Sequence, residues 1–148
     1  MNKENSLRQM ETLFLALADK TRLRILNLIR EDEVCVCYFT EVLGESQPKI
    51  SRHLAYLRNA GIVSARRDGK WMNYSIRFPS DPVAVRILRD TLGWLESQKD
   101  LQDDFDRLAK VCNSADIPVT IARAPTPKTF VQTEKPTYQT EELETFLL

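Results

Sequence analysis

Apolar residues recur with helical spacing over the first sixty positions and then switch to the alternation of strands. Leu7, Met10, Leu13, Phe14 and Leu17 form a stripe that predicts a helix over residues 6–18. Asp19 offers an N-cap for a second helix, residues 21–30, in which Leu23, Leu26 and Ile29 share a face. A short third helix is expected over 36–43, stopped by Gly44. Ser46 caps a fourth, and Pro48 sits in its first turn, where a missing N–H is tolerated. Ile50, Leu54 and Leu57 repeat at i, i+4 and i+7 along that helix, and Gly61 ends it. Residues 62–67 and 71–77 read as two strands joined through Asp68-Gly69, a pair that supplies the positive φ of a tight hairpin.

After Pro79 and Pro82 the period returns to that of a helix, over 82–112. Val85, Leu88, Leu92 and Leu95 form one stripe; Leu101, Phe105, Leu108 and Cys112 form another. One continuous helix of this length spans about 45 Å, more than a small domain can cover. Its apolar face, with residues 7–17, therefore predicts a second chain. The alternative is a break near Gly93 or Ser97 with the second half folded back. Residues 113–148 hold four prolines, many threonines and no sustained period, so they read as an extended, partly disordered tail. Glu141 to Leu148 could form a short amphipathic end.

The 148 residues suit one domain, here 1–112 followed by the tail 113–148. Hydrophobic residues make up 43% and charged residues 28%, ordinary values for a globular protein. No apolar run is long enough to span a bilayer, and the N-terminus lacks the apolar core of a secretory signal. A cytoplasmic location and no membrane partner are the expectations. Three cysteines in that compartment are free thiols, metal ligands or redox groups sooner than disulfides. A single histidine, His53, excludes a multi-histidine metal site and leaves little for nucleophile-plus-base catalysis. No Gly-rich phosphate loop is present, so no enzyme and no organic cofactor are expected.

Charge changes the picture more than composition does. The 21 basic and 21 acidic residues cancel, yet Ser46 to Arg77 holds seven basic residues against Asp68 alone. That segment is +6 and the remainder −6, the asymmetry of a nucleic-acid face on an acidic body. A solvated helix face is the plainer reading of any charge run; here the run coincides with a helix-turn-helix and a hairpin. The helix over 46–60 presents Gln47, Lys49, Ser51, Arg52 and His53 toward its N-terminal end, where side chains reach base edges or phosphates in a major groove. Arg66, Arg67 and Lys70 at the hairpin are placed to grip phosphates. Double-stranded DNA is the expected partner.

The stretches Leu15–Leu26, Glu33-Val34-Cys35-Val36-Cys37, Ser46–Leu54 and Arg66–Trp71 together resemble the ArsR/SmtB family of winged-helix metalloregulators, over residues 7–112. The resemblance implies a mainly α fold with a small β-hairpin wing, a winged helix-turn-helix dimerised through its N-terminal and long C-terminal helices. It also implies a homodimeric repressor on an operator of a metal- or metalloid-resistance promoter, released by its inducer. The tail beyond 113 has no counterpart in it.

Cys35-Val36-Cys37 carries the chemistry. Two buried small hydrophobes, or a redox-responsive pair, are the other uses of such thiols. The resemblance places Cys-x-Cys here in the subgroup that binds thiophilic ions. Its arsenic-sensing pattern has a third cysteine where this chain has Thr40, so Cys112, a small cellular thiol or a solvent oxygen must supply the third ligand. Soft thiolates favour soft ions. Three sulfurs suit pyramidal trivalent arsenic or antimony better than a tetrahedral dication. A cadmium, lead or thiol-oxidation sensor on the same fold is the alternative. Because residues i and i+2 of a helix point apart, binding to both thiols is expected to unwind the start of the third helix.

Overall fold

The computed structural model describes residues 3–113 and 124–131. Helix α1 (Lys3–Leu17) leads into α2 (Lys20–Ile29), strand β1 (Glu33–Cys35), α3 (Val36–Leu43), α4 (Gln47–Asn59), the hairpin β2 (Val63–Asp68) and β3 (Trp71–Ile76), α5 (Pro82–Glu96) and α6 (Lys99–Asn113). A 3-10 turn, Lys128–Phe130, follows. The caps act as their chemistry dictates. The Asp19 carboxylate accepts the Arg22 N–H at 3.0 Å, and the Ser46 hydroxyl accepts that of Lys49 at 3.4 Å. Gly44 ends α3 at φ +67°, in the left-handed region that glycine enters without a Cβ clash.

The sheet is three-stranded and antiparallel in the order β1-β3-β2. β1 pairs with β3 through Glu33↔Ser75, Val34↔Tyr74 and Cys35↔Asn73. The last hairpin pair is Asp68↔Trp71, so the turn is centred on Gly69-Lys70, one position beyond Asp68-Gly69, with Gly69 at φ +58°. β1 was not expected: three residues give no alternation to read, and only its place on β3 makes them a strand. The core gathers Ile25, Leu26 and Ile29 from α2, Phe39 from α3, Ile50, Leu54 and Leu57 from α4, Leu88 and Leu95 from α5, and Leu108 from α6.

The 82–112 segment is two helices, which corrects the single long helix. α5 stops at Glu96, where Ser97 donates its hydroxyl to the Trp94 carbonyl at 2.6 Å, a local bond that competes with continuation of the helix. α6 folds back onto α2 and α3. Arg24 grips the Asp104 carboxylate with both arms of its guanidinium, at 2.7 and 2.9 Å, and Arg107 joins the same carboxylate. Asn27 donates to the Leu101 carbonyl at 2.8 Å, and the Arg30 guanidinium lies 3.6 Å over the Phe105 ring. The expected uncovered stripe is corrected with it: Leu88 and Leu95 are buried and Leu92 half-buried within this one chain. The large apolar side chains left in solvent include Leu7 (75% exposed) and Phe14 (53%), within the expected 7–17 face, and Trp94 (58%) on α5.

Part of the 113–148 region is docked rather than free. The N–H groups of Lys128 and Thr129 donate to the Asp32 carboxylate at 2.9 and 2.8 Å. The Phe130 ring rests 5.4 Å from that of Phe105, and the Tyr38 hydroxyl donates to the Ala124 carbonyl at 3.4 Å. The expected end at 141–148 lies outside the described residues.

Candidate functional site

Cys35 is the last residue of β1 and the N-cap of α3, in extended conformation at φ −70°, ψ 145°. Cys37 lies in the first turn of α3. Because Cys35 is off the helix, the two side chains converge, and Cys37 Sγ donates to Cys35 Sγ at 3.3 Å. The expectation that helical geometry keeps the sulfurs apart is thereby corrected: no turn need unwind to bring them together. The hydrogen bond from Cys37, with nearby backbone N–H groups of Cys37, Met72 and Val36, holds the Cys35 thiol below its usual range against the opposing effect of burial. The same hydrogen bond, burial and the charge on Cys35 push Cys37 up. The arrangement favours the thiolate form of Cys35, at a helix N-terminus where orphan N–H groups stabilise an anion.

The sulfur separation tests the fit of an ion. With bonds of about 2.3 Å, two sulfurs at this distance subtend about 90° at a shared centre, whereas a tetrahedral site sets them about 3.8 Å apart. The pair as it stands suits a pyramidal centre. Among the described residues no group of three Cys, His, Asp or Glu side chains converges on one point. Cys112 is nonetheless not remote, because the fold-back of α6 brings its end beside α3. Burial and the Asp32 charge raise the Cys112 thiol to about 11. Tyr38 is raised to about 12 by burial, with Cys112 acting on it more strongly than Cys37 or Cys35. Tyr38 thus lies within electrostatic reach of all three thiols.

The basic face divides into free and engaged side chains. Gln47, Ser51 and Arg52 are exposed along α4. Lys49 Nζ lies 3.0 Å from the Glu45 carboxylate, one turn earlier. His53 turns inward: its Nδ1 is 3.8 Å from Asp19 and 3.5 Å from Arg22, the residues at the start of α2. On the wing, Arg66 meets Glu33 of β1, with Nε 3.1 Å from both carboxylate oxygens and Nη2 2.5 Å from one. Arg67 and Lys70 are exposed at the hairpin end, and Lys70 Nζ sits 5.0 Å from the Trp71 ring centre. Among the described residues Arg67 has no acidic partner. Sequence reasoning missed Glu33, because its pairing with Arg66 exists only once β1 joins the sheet.

A cleft of about 510 Å³ runs between α1, Asn59–Ile62 and Arg77–Asp81. Its walls contain none of the candidate residues. Among the described residues no helix is long and apolar enough to cross a membrane.

Comparison with known proteins agrees with this architecture. The model of the arsR family of bacterial regulatory proteins matches residues 19–65, from the cap of α2 into β2. The chain is 45% identical over 112 residues to the arsenic resistance transcriptional regulator ArsR1 of Pseudomonas putida, covering 74% of this chain and 85% of that one. It is 41% identical over 105 residues to the arsenical resistance operon repressor of Escherichia coli K12, covering 70% and 88%. Among solved structures, the homodimeric winged helix-turn-helix DNA-binding domain Mb0332 of Mycobacterium bovis, described as a possible ArsR-family transcriptional regulator, superposes with a TM-score of 0.53. Identity there is 27%, over 67% of this chain and 90% of that one.

Proposed function

The chain belongs to the arsR family of bacterial regulatory proteins, and on that premise we propose that it is a DNA-binding repressor of a metalloid-resistance operon, released from its operator when trivalent arsenic or antimony binds Cys35 and Cys37. The observation that carries the inducer is the 3.3 Å sulfur pair at the junction of β1 and α3. Two soft donors at that separation suit a small thiophilic, pyramidal ion.

The junction also supplies the coupling. β1 is held to the wing through β3, and α3 packs on α4, so the wing and the recognition helix both hang from residues 35–37. An ion bridging Cys35 and Cys37 sets the angle between strand and helix, and a change there moves α4 against the wing. An inducer that prefers the off-DNA shape weakens DNA binding by the same factor, by linkage. Gln47, Ser51 and Arg52 face the bases; Arg67 and Lys70 hold phosphates. Lys49, His53 and Arg66 act through their partners Glu45, Asp19 and Glu33. A second copy of the chain covers Leu7, Phe14 and Trp94, and the two recognition helices then meet half-sites about 10 base pairs apart or a multiple of that.

The test is a DNA-release titration with arsenite, antimonite, cadmium, lead and zinc under reducing conditions. Release by arsenite and antimonite at the lowest concentrations is the expected result. Release by cadmium or lead alone, or by a thiol oxidant without any ion, overturns the choice of inducer.

A further inference from the structure

We propose that Asn73 is part of the inducer site, its side-chain oxygen accepting a hydrogen bond from the one hydroxyl that arsenous acid keeps when Cys35 and Cys37 displace the other two. The inference rests on the reading of the chain as arsenic-responsive and names what stands at the third position. Asn73 is 2% exposed, and among the described residues its Oδ1 has no hydrogen-bond partner. A buried acceptor without a donor is expensive to keep, and native structures rarely keep one without a use. This one faces Cys35 directly across the β1–β3 ladder. Opposed antiparallel residues place their side chains on the same face of the sheet, with Cβ atoms about 5 Å apart.

The register sets Asn73 between Arg66 on β2 and Cys35 on β1, so its side chain shares one face of the sheet with that arginine and with the thiol. The Asn73 amide also helps to hold the Glu33 carboxyl below its usual range.

The chemistry balances without an oxidant or reductant. Each thiol forms one As–S bond as one As–O bond breaks, and its proton leaves with the departing hydroxyl as water. Two waters are released, and arsenic stays trivalent with two sulfurs and one oxygen. The retained O–H is the donor that the unpartnered Asn73 oxygen lacks. An ion that brings no hydroxyl leaves that oxygen unpaired, so Asn73 also discriminates among thiophilic ligands.

The experiment compares arsenite with methylarsonous acid, which carries a methyl group in place of one hydroxyl and fills the same two sulfurs. Binding is measured with a phosphine reductant, so that no added thiol competes. Asn73→Leu is expected to weaken arsenite binding roughly fivefold, the loss of one hydrogen bond, and to leave methylarsonous acid binding unchanged. X-ray absorption of the wild-type arsenite complex is expected to show two sulfurs and one oxygen. Asn73→Ala carries the same expectation should leucine disturb the sheet. Equal weakening of both ligands, no weakening of either, or three sulfurs around arsenic in the wild type overturns the role of Asn73 alone. A wild-type protein that binds neither arsenical overturns the functional reading and this inference with it.

Discussion

Arg66 and Arg67 are neighbours in sequence and identical in charge, yet the structure gives them different surroundings. Arg66 is spent on the Glu33 carboxylate, while Arg67 stands exposed at the wing end. Binding of each phosphate contributes a slope of about −0.9 to the dependence of log affinity on log salt. Arg67→Ala in a dimer removes two such contacts and so flattens the slope by about 1.8. Between about 50 and about 200 mM salt the wild type should then lose roughly twelvefold more affinity than the variant. Arg66→Ala should leave the slope unchanged and hardly move stability, because the pair it loses is solvent-exposed. Fluorescence anisotropy of labelled operator DNA over a salt series measures both slopes. Equal flattening by the two variants refutes the reasoning: the Arg66–Glu33 pair would have to open on DNA and release Arg66 to a phosphate.

Four further outcomes are expected. Cys37→Ser should bind operator DNA as the wild type does and fail to release it with arsenite; loss of DNA binding would make the thiols structural. Cys112→Ser should leave arsenite affinity and the sulfur count by X-ray absorption unchanged, since the described residues bring no third ligand to the pair; a drop in either would place Cys112 in the site. Asp104→Asn removes a carboxylate that is 2% exposed and leaves Arg24 without its partner, a loss of about 2–3 kcal/mol in urea unfolding once the partial exposure of Arg24 is discounted. Burial raises the Asp104 carboxyl, but Arg24 and Arg107 hold it below the usual range. Its stabilisation is therefore complete above the unfolded value near about 4 and disappears as pH falls through the lower folded value, so wild type and variant should converge in acid. Light scattering should give the mass of a dimer at micromolar concentration, and Phe14→Glu, which puts a charge on the exposed face of α1, should shift it toward monomer.

Much of the fold is local chemistry and was legible in the chain. Asp19 and Ser46 cap because their oxygens reach an N–H three residues on, and Gly44 and Gly69 adopt positive φ because they carry no Cβ. The helical period of Ile50, Leu54 and Leu57 put one face of α4 in the core and left Gln47, Ser51 and Arg52 outside. The Cys-x-Cys spacing of residues 35 and 37 and the basic run of 46–77 are likewise visible in one dimension. What a one-dimensional pattern lacks is the partner. The period of residues 82–112 is the same whether its stripes face a second chain or fold onto α2. The choice rests on Arg24 and Asp104, eighty residues apart, and on Ser97 ending α5. Likewise Glu33-Val34-Cys35 is too short to signal a strand. Only pairing with β3 extends Cys35, swings its sulfur to 3.3 Å from that of Cys37, sets Asn73 opposite, and puts Glu33 within reach of Arg66. Spacing decides which side chains share a face, but long-range hydrogen bonds and ion pairs decide what each face meets, because their free energy depends on groups that sequence separation does not order.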